Sequence, residues 1–414
     1  MSRCVVVGSG AREHALAWAL AKSCEVVVSP GNAGMAAHGF TCVDTPATEL
    51  DADLFVIGPE QPLVEGLADA LRAQGKRVFG PGRDASQLEG SKAFMKDFLA
   101  SAGVPTARYA TFSDPDSALS FLDSMSAPYV VKTDGLASGK GVLVTHDLAQ
   151  ARDDVLEKLS GRAFGGAGTT VVIEEGLAGH ECSLIVLCDG TDVVALAPAQ
   201  DFKRVGDADQ GANTGGMGAY APMTSMTPDQ VDNVMREIVL PTVAELRRRG
   251  IDFRGVLYAG LMLGPYGAKL LEYNVRFGDP ETQVLAPLYG DALFDLLKRT
   301  SDGRLGGSLA VPSGAAVTVV LAASGYPRRP RVGDVISGLG DDGQLAEEIE
   351  GVIVFHAGTQ RSAGGVFTTF GGRVLAVTGT GASLEEARRR AYQGAALVTF
   401  DGMVMRTDIA LGAH

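Results

Sequence analysis

At 414 residues the chain is long enough for two to four compact units of roughly 100 to 200 residues, which excludes a lone small module. Its 46% hydrophobic and 21% charged content is that of a folded globular protein. With 36 basic against 49 acidic residues the net charge is −13, which argues against a protein whose main task is to bind nucleic acid.

In chain order, residues 3–7 form an apolar run, Gly8-Ser9-Gly10 a turn, and 13–22 a helix leading into the run 25–28, a β-α-β unit. The run 54–57 before Gly58-Pro59-Glu60 and the run 77–79 before Gly80-Pro81-Gly82 repeat the strand-then-loop pattern. An open parallel sheet is expected, its loops gathered at the carboxyl ends of the strands, where such sheets take ligands. After a helix over 91–102, Gly103-Val104-Pro105 breaks the pattern and sets a boundary at 104/105. Glycines then cluster at 135–141, 161–168 and 206–218, as in mobile loops. Pro312-Ser313-Gly314 leads a third, β-rich segment with runs at 316–322 and 352–355 and a helix at 384–398. The five cysteines have no metal-type spacing and read as small core residues in a reducing compartment. The chain reaches a glycine turn straight after Val7, too early for a secretory signal, and no apolar run is long enough to span a bilayer, so a cytoplasmic location without a membrane partner is expected.

Gly8-Ser9-Gly10-Ala11-Arg12-Glu13 invites a dinucleotide reading, but Glu13 replaces the third glycine and no acidic residue ends the second strand. What survives is a helix N-terminus able to seat one phosphate, with Gly31-Asn32-Ala33-Gly34 beside it. Between 129–132 and 141–144 lies a glycine-rich hairpin whose spacing is not that of a Walker loop. Lys132 on its strand and Lys140 at its tip are point charges for a triphosphate; alone, the motif would be an ordinary exposed hairpin. The strand 171–173 ends in Glu174-Glu175 and is followed by Leu177 and Glu181, which could meet an adenine and its ribose, although paired glutamates usually mark a solvated face. The strongest local signal is 270–277, where a period of two puts Glu272, Asn274 and Arg276 on one face and Leu271, Tyr273, Val275 and Phe277 on the other. Glu272 and Asn274 offer the hard oxygens that Mg²⁺ takes when it bridges nucleotide phosphates, and Arg276 can fork onto an anion beside them.

These residues, with Ser91-Lys92, Asn213 to Gly218 and Asn274 to Gln283, resemble the glycinamide ribonucleotide synthetase (phosphoribosylamine–glycine ligase) family of ATP-grasp enzymes over essentially the whole chain. The resemblance implies an α/β protein: an N-terminal open parallel sheet domain binding phosphoribosylamine (1–104), a central α+β ATP-grasp domain (105–305, with a lid at about 122–190) and a β-rich C-terminal domain (306–414). It implies ligation of glycine to 5-phosphoribosylamine through a glycyl phosphate, with ATP and Mg²⁺ or Mn²⁺ as cofactors and a monomeric protein. Carried over by position, Glu272 and Asn274 are metal ligands, and Lys92 and Lys132 bind the nucleotide phosphates. Glu174, Glu175, Leu177 and Glu181 belong to the nucleotide site. Gly10, Glu13, Asn32, Gly34, Glu60, Arg276 and Asp279 contact substrate, and Arg276, Lys132, Lys140 and Asp201 serve the chemistry. Two positions depart from the family pattern: His180 stands where a glutamate is common and Phe202 where a histidine is. Two alternatives share these features, an ATP-grasp ligase for another acceptor amine and a non-catalytic ATP-binding regulator.

Overall fold

The computed structural model describes residues 2–136, 141–161, 169–265, 267–306, 309 and 312–413. Strands as continuously apolar as Arg3–Gly8, Glu25–Pro30 and Leu54–Ile57 must be covered on both faces, which parallel sheets with helical crossovers provide. They pair in parallel, with Thr41–Cys42 and Val78–Phe79 at the two edges and Arg3–Gly8 in the centre. Strand order runs outward from the centre in both directions, so the topological switch falls between Arg3–Gly8 and Leu54–Ile57. Gly8-Ser9-Gly10 and Gly58-Pro59-Glu60 leave the sheet there. Helix Ala11–Leu20 starts immediately after the first loop, two residues earlier than the composition suggests, and is buried almost all round because helix Glu281–Tyr289 packs on it. Ser91 caps helix Lys92–Ala102 by accepting the Phe94 N–H at 3.0 Å, and Gly103 ends it at φ 68°.

The middle of the chain builds two antiparallel four-stranded sheets. One has the order Tyr109–Phe112, Val171–Glu175, Tyr129–Thr133, Val142–Thr145 and is backed by helices Pro115–Asp123 and Leu148–Leu159. Ala118, Leu122, Val131, Val155 and Ile173 give it a core of its own. Its last two strands form the expected hairpin, while 137–140, including Lys140, lie outside the described residues, as do 162–168. The other sheet has the order Val193–Ala195, His180–Asp189, Arg254–Gly264, Gly267–Asn274.

The C-terminal sheet runs Gln200–Asp201, Gly218–Ala221, Ala315–Ala322, Arg373–Gly381, Val352–His356, with helix Leu384–Leu397 against it. Two of these strands come from the stretch that the sequence places in the central unit. Gly218–Ala221 is wholly buried, and its backbone finds its partners on Ala315–Ala322, so a cut at 305/306 divides a sheet. The expected mobile loop at 206–218 is instead largely a hairpin of Arg204–Gly206 with Gln210–Asn213, pinned to the C-terminal tail. There Arg406 holds Asp209 at 2.6 Å and Thr407 holds Asp207 at 2.6 Å. All five cysteines are unpaired, four of them buried and Cys42 half-buried, as core residues.

Candidate active site

Strand Gly267–Asn274 brings the central chemistry together. A bulge leaves Leu271 unpaired, with Glu272 opposite Gly260 and Leu270 opposite Leu261. The strand ends at Asn274, so strict alternation does not carry Arg276 onto its face; the guanidinium folds back instead, its Nη2 donating to Asn274 Oδ1 at 3.1 Å. The Glu272 carboxylate has no hydrogen bond or ion pair with a described residue. Burial would push its pKa up, but Lys203, Lys132, Lys92 and Arg276 around it hold it below the usual glutamate range.

Two of these lysines arrive on the elements the sequence names. Lys132 on the lid strand donates to the Leu271 carbonyl at 3.3 Å, and Lys92, in the first turn of its helix, donates to the Gly135 carbonyl at 3.0 Å. Burial lowers the pKa of Lys92 against the pull of Glu272. Glu174, expected among the nucleotide contacts, is sealed in between Lys132 and Lys96, each at 2.9 Å. Glu175 is more open, accepting the Arg108 N–H at 3.0 Å and pairing with Lys269 at 3.1 Å, and Leu177 is half-buried nearby. Glu181, exposed, pairs with Lys203 at 2.8 Å. Lys203 is also 4.0 Å from Asp201, whose carboxyl burial pushes up to about 7. Phe202 points away from these groups, its ring 6.3 Å from that of Tyr220 and covered by the Arg406 guanidinium at 4.8 Å. His180 is exposed at the start of its strand.

The sheet switch lies against this cluster. Glu60 Oε2 accepts from Arg276 Nε at 3.3 Å and lies 3.9 Å from Arg12. Glu13 is not open to a ligand: its carboxylate accepts the Gly10 N–H at 2.7 Å and pairs with Arg12 at 2.6 Å. A Cβ on Gly58 would come within 2.1 Å of it and one on Gly8 within 2.5 Å, so the glycines of both loops make its seat. Asn32 is likewise fully engaged, its amide donating to the carbonyls of Ser9 and His356, both at 2.9 Å, while Oδ1 caps the next helix. Gly34 faces the His356 ring, which a Cβ would meet at 1.9 Å. Ser9, Gly10 and Asn32 nonetheless edge a cleft of about 530 Å³, closed from the C-terminal side by Gln360, Phe370 and Arg373. Asp279 lies in its wall, paired with Arg373 at 3.2 Å. Burial would raise this carboxyl, but Arg373 and Arg12 hold it below the usual range.

Sequence reading missed Lys96, Glu89, Lys203 and Arg373. Lys96 and Glu89 stand on helices whose patterning asks only for a buried face, and their partners are far along the chain, so no local signal singles them out. Lys203 could have been suspected, next to Asp201 in a lysine-poor chain.

A small sheet that sets Lys132 over a second sheet bearing the Glu272 carboxylate and the Asn274 amide oxygen, with Arg276 folded back beside them and Lys92 on the adjoining helix, is the arrangement of an ATP-grasp ligase. Its three parts match models of one family: Phosphoribosylglycinamide synthetase, N domain over residues 2–89, ATP-grasp (A) domain over 90–282 and C domain over 316–412. The chain belongs to the phosphoribosylglycinamide synthetase family. It is 48% identical to the phosphoribosylamine–glycine ligase of Xanthomonas axonopodis pv. citri over 423 residues, covering 98% of this chain and 96% of that protein. With the enzyme of the same name from Streptomyces coelicolor it shares 48% identity, covering 99% of each. The crystal structure of the Thermotoga maritima phosphoribosylamine–glycine ligase matches with a TM-score of 0.88 at 36% identity, covering 99% of this chain and 100% of that one.

Proposed function

We propose that this protein ligates glycine to 5-phosphoribosylamine, converting ATP to ADP and phosphate through a glycyl phosphate, in purine biosynthesis. The observation that carries the reading is the convergence of Lys92, Lys132, Lys203 and Arg276 on the Glu272 carboxylate, which is unpaired among the described residues, with Arg276 also touching Glu60 at the sheet switch. Phosphoryl chemistry and a sugar site are thereby contiguous. A carboxylate is a poor electrophile until it is phosphorylated, and cations placed around the transferring group stabilise the charge that develops. Lys92 and Lys132 take the nucleotide phosphates, the open stretch at Glu175, Leu177 and Glu181 the adenine and ribose, and Arg276 the glycyl phosphate. Lys140 belongs by position to the same phosphate set. Asp201, poised near neutrality, is suited to hold or release a proton beside Lys203. Glu60 accepts ribose hydroxyls, the backbone at Gly10 and the cleft beside Asn32 and Asp279 receive the sugar phosphate, and Glu13 and Gly34 shape that cleft.

The donor set fits a magnesium or manganese ion. Glu272 has no other partner among the described residues and lies next to the Asn274 amide oxygen, two hard oxygen ligands of the kind that hold such an ion with nucleotide phosphates. Bound there, the ion would neutralise phosphate charge and orient the transferring group. A division at 104/105 and at 305/306, with strands Gln200–Asp201 and Gly218–Ala221 crossing into the C-terminal sheet, a cytoplasmic, monomeric protein and no nucleic-acid partner complete the reading. No described helix is long and apolar enough to cross a membrane.

The test is to follow nucleotide products with glycine and freshly made phosphoribosylamine, each omitted in turn. ADP and phosphate are expected, in amounts that depend on both. AMP with pyrophosphate would overturn the acyl-phosphate route, and turnover with a different amine alone would move the protein to another acceptor class.

A further inference from the structure

Glu89 stands in the last turn of helix Arg83–Gly90, where the partial negative charge of the backbone carbonyls opposes a carboxylate, and its side chain is only 8% exposed. Such a group is costly unless it is paired. Its two oxygens have separate partners: Oε2 accepts the Val275 N–H at 2.8 Å and Oε1 accepts Arg276 Nη2 at 2.9 Å. The first bond fixes the backbone just before Arg276 and the second fixes the guanidinium. Because the same Nη2 reaches Asn274 at 3.1 Å, Glu89 also sets the guanidinium against one of the two proposed metal ligands. Glu60 meets the Nε edge at 3.3 Å, the looser contact and the one an incoming anion can take over. Glu89 falls in the N-domain match and Arg276 in the ATP-grasp match, so the clamp crosses from one part to the other.

We propose that Glu89 is a positioning residue for the reaction: it holds Arg276 by Nη2 beside Asn274, with the Nε edge turned to the sugar site, so that the guanidinium is in place before glycyl phosphate forms. The proposal rests on Arg276 being the acyl-phosphate cation and adds the residue that aims it.

A double-mutant cycle of Glu89→Gln and Arg276→Ala tests it. Glu89→Gln keeps an acceptor for the Val275 N–H and removes the anion facing Arg276. It is expected to lower kcat/KM for glycine by about 10- to 100-fold, with the KM for ATP held within about twofold. In the Arg276→Ala background it should cost little more, since the two residues act as one unit. Additive losses, equal movement of the glycine and ATP KM values, or an unaffected Glu89→Gln beside a crippled Arg276→Ala would each overturn the role of Glu89 alone. An Arg276→Ala enzyme with full activity would overturn the assignment of Arg276 itself. Thermal melts check that each variant is folded, and Glu89→Asp, which keeps the charge but withdraws it by one methylene, takes the place of Glu89→Gln in the cycle should that variant not fold.

Discussion

The Arg276 guanidinium is met by oxygen on every edge, from Glu89, Glu60, Asn274 and the Phe277 carbonyl. Glu89 and Glu60 outweigh the effect of burial and raise its pKa, so its charge is never in question and its use is geometric. A planar fork serving several acceptors at once is what a lysine lacks. Arg276→Lys is therefore expected to lose nearly as much kcat as Arg276→Ala, each by more than about 100-fold; a Lys variant with most of the wild-type rate would reduce the role of Arg276 to charge alone. For its neighbour Glu60 the proposed task is different, the binding of the sugar. Charge-assisted hydrogen bonds contribute about 1.5 to 3 kcal/mol each, so Glu60→Ala should weaken phosphoribosylamine use by about 10- to 100-fold. As its Oε2 also faces Arg276, the glycine KM should move with it, while the ATP KM stays put. Steady-state kinetics with each substrate varied in turn decide the matter, and a shift in ATP KM as large as that for the amine would remove Glu60 from the sugar site.

At the scale of elements, the lid strand Val171–Glu175 is joined to helix Lys92–Ala102 by one buried carboxylate. Glu174 faces Lys132 on the neighbouring strand and Lys96 on the helix, and Lys96 Nζ also donates to Thr106 Oγ1 at 2.7 Å. Two ammonium groups sharing one carboxylate leave a surplus positive charge beside the proposed phosphate site. Removing one partner of a buried pair typically costs about 3 to 5 kcal/mol. Lys96→Met should accordingly lower unfolding stability by an amount of that order, measured by urea denaturation, and raise the ATP KM because Glu174 is left to Lys132 alone. Unchanged ATP affinity in a destabilised variant would make the triad purely structural.

Across the whole molecule, the N-terminal and C-terminal parts meet through three histidines. The His356 N–H donates to His14 Nδ1 at 2.9 Å, which places the His14 proton on Nε2, directed at His38 Nδ1 at 2.9 Å. His356 faces the Gly343 carbonyl with Nε2 at 2.7 Å and the Thr359 hydroxyl with Nδ1 at 2.9 Å. Each ring is thereby fixed in one neutral tautomer, and a second proton would cost it an acceptor. Burial lowers all three, with His14 well below the usual histidine value and His356 near 4, although Asp342 pulls His38 and His356 the other way. A histidine depressed in the fold binds its proton first in the unfolded chain, so its stabilising effect is complete above about pH 6.5 and is lost as pH falls toward the folded value. The loss approaches about 1.4 kcal/mol per pH unit for each fully buried ring. Asp201, raised to about 7, works in the opposite sense, gaining stability as pH falls, so the comparison must be with a variant. Denaturation at pH 7 and pH 5 should show a shallower loss for His356→Phe than for the wild type, whatever the variant's stability at pH 7. Equal slopes would show that these rings do not carry the acid sensitivity.

Apolar runs of four to six residues broken by Gly8-Ser9-Gly10 and Gly58-Pro59-Glu60 are enough to determine a parallel sheet and where it opens, because strand, turn and covering helix all follow from neighbours in the chain. The polar face at Glu272 and Asn274 is equally legible, since two alternate polar groups in an apolar strand have no place in a core, whereas Arg276 lies past the strand's end and reaches that face only by folding back. Tertiary structure alone decided that Glu174 is clamped by Lys96, that Arg276 is held by Glu89, and that Gly218–Ala221 joins the C-terminal strands. In each case the partner lies some 80 to almost 190 residues away. Ion pairing and strand pairing across such separations depend on which surfaces the folded chain brings together, and local periodicity carries no record of that. Glu13, Asn32 and Gly34 make the same point in reverse: the resemblance implies that they contact substrate, and only the fold shows that their side chains or Cα positions are packed against Gly58, Ser9 and His356 at the frame of the cleft.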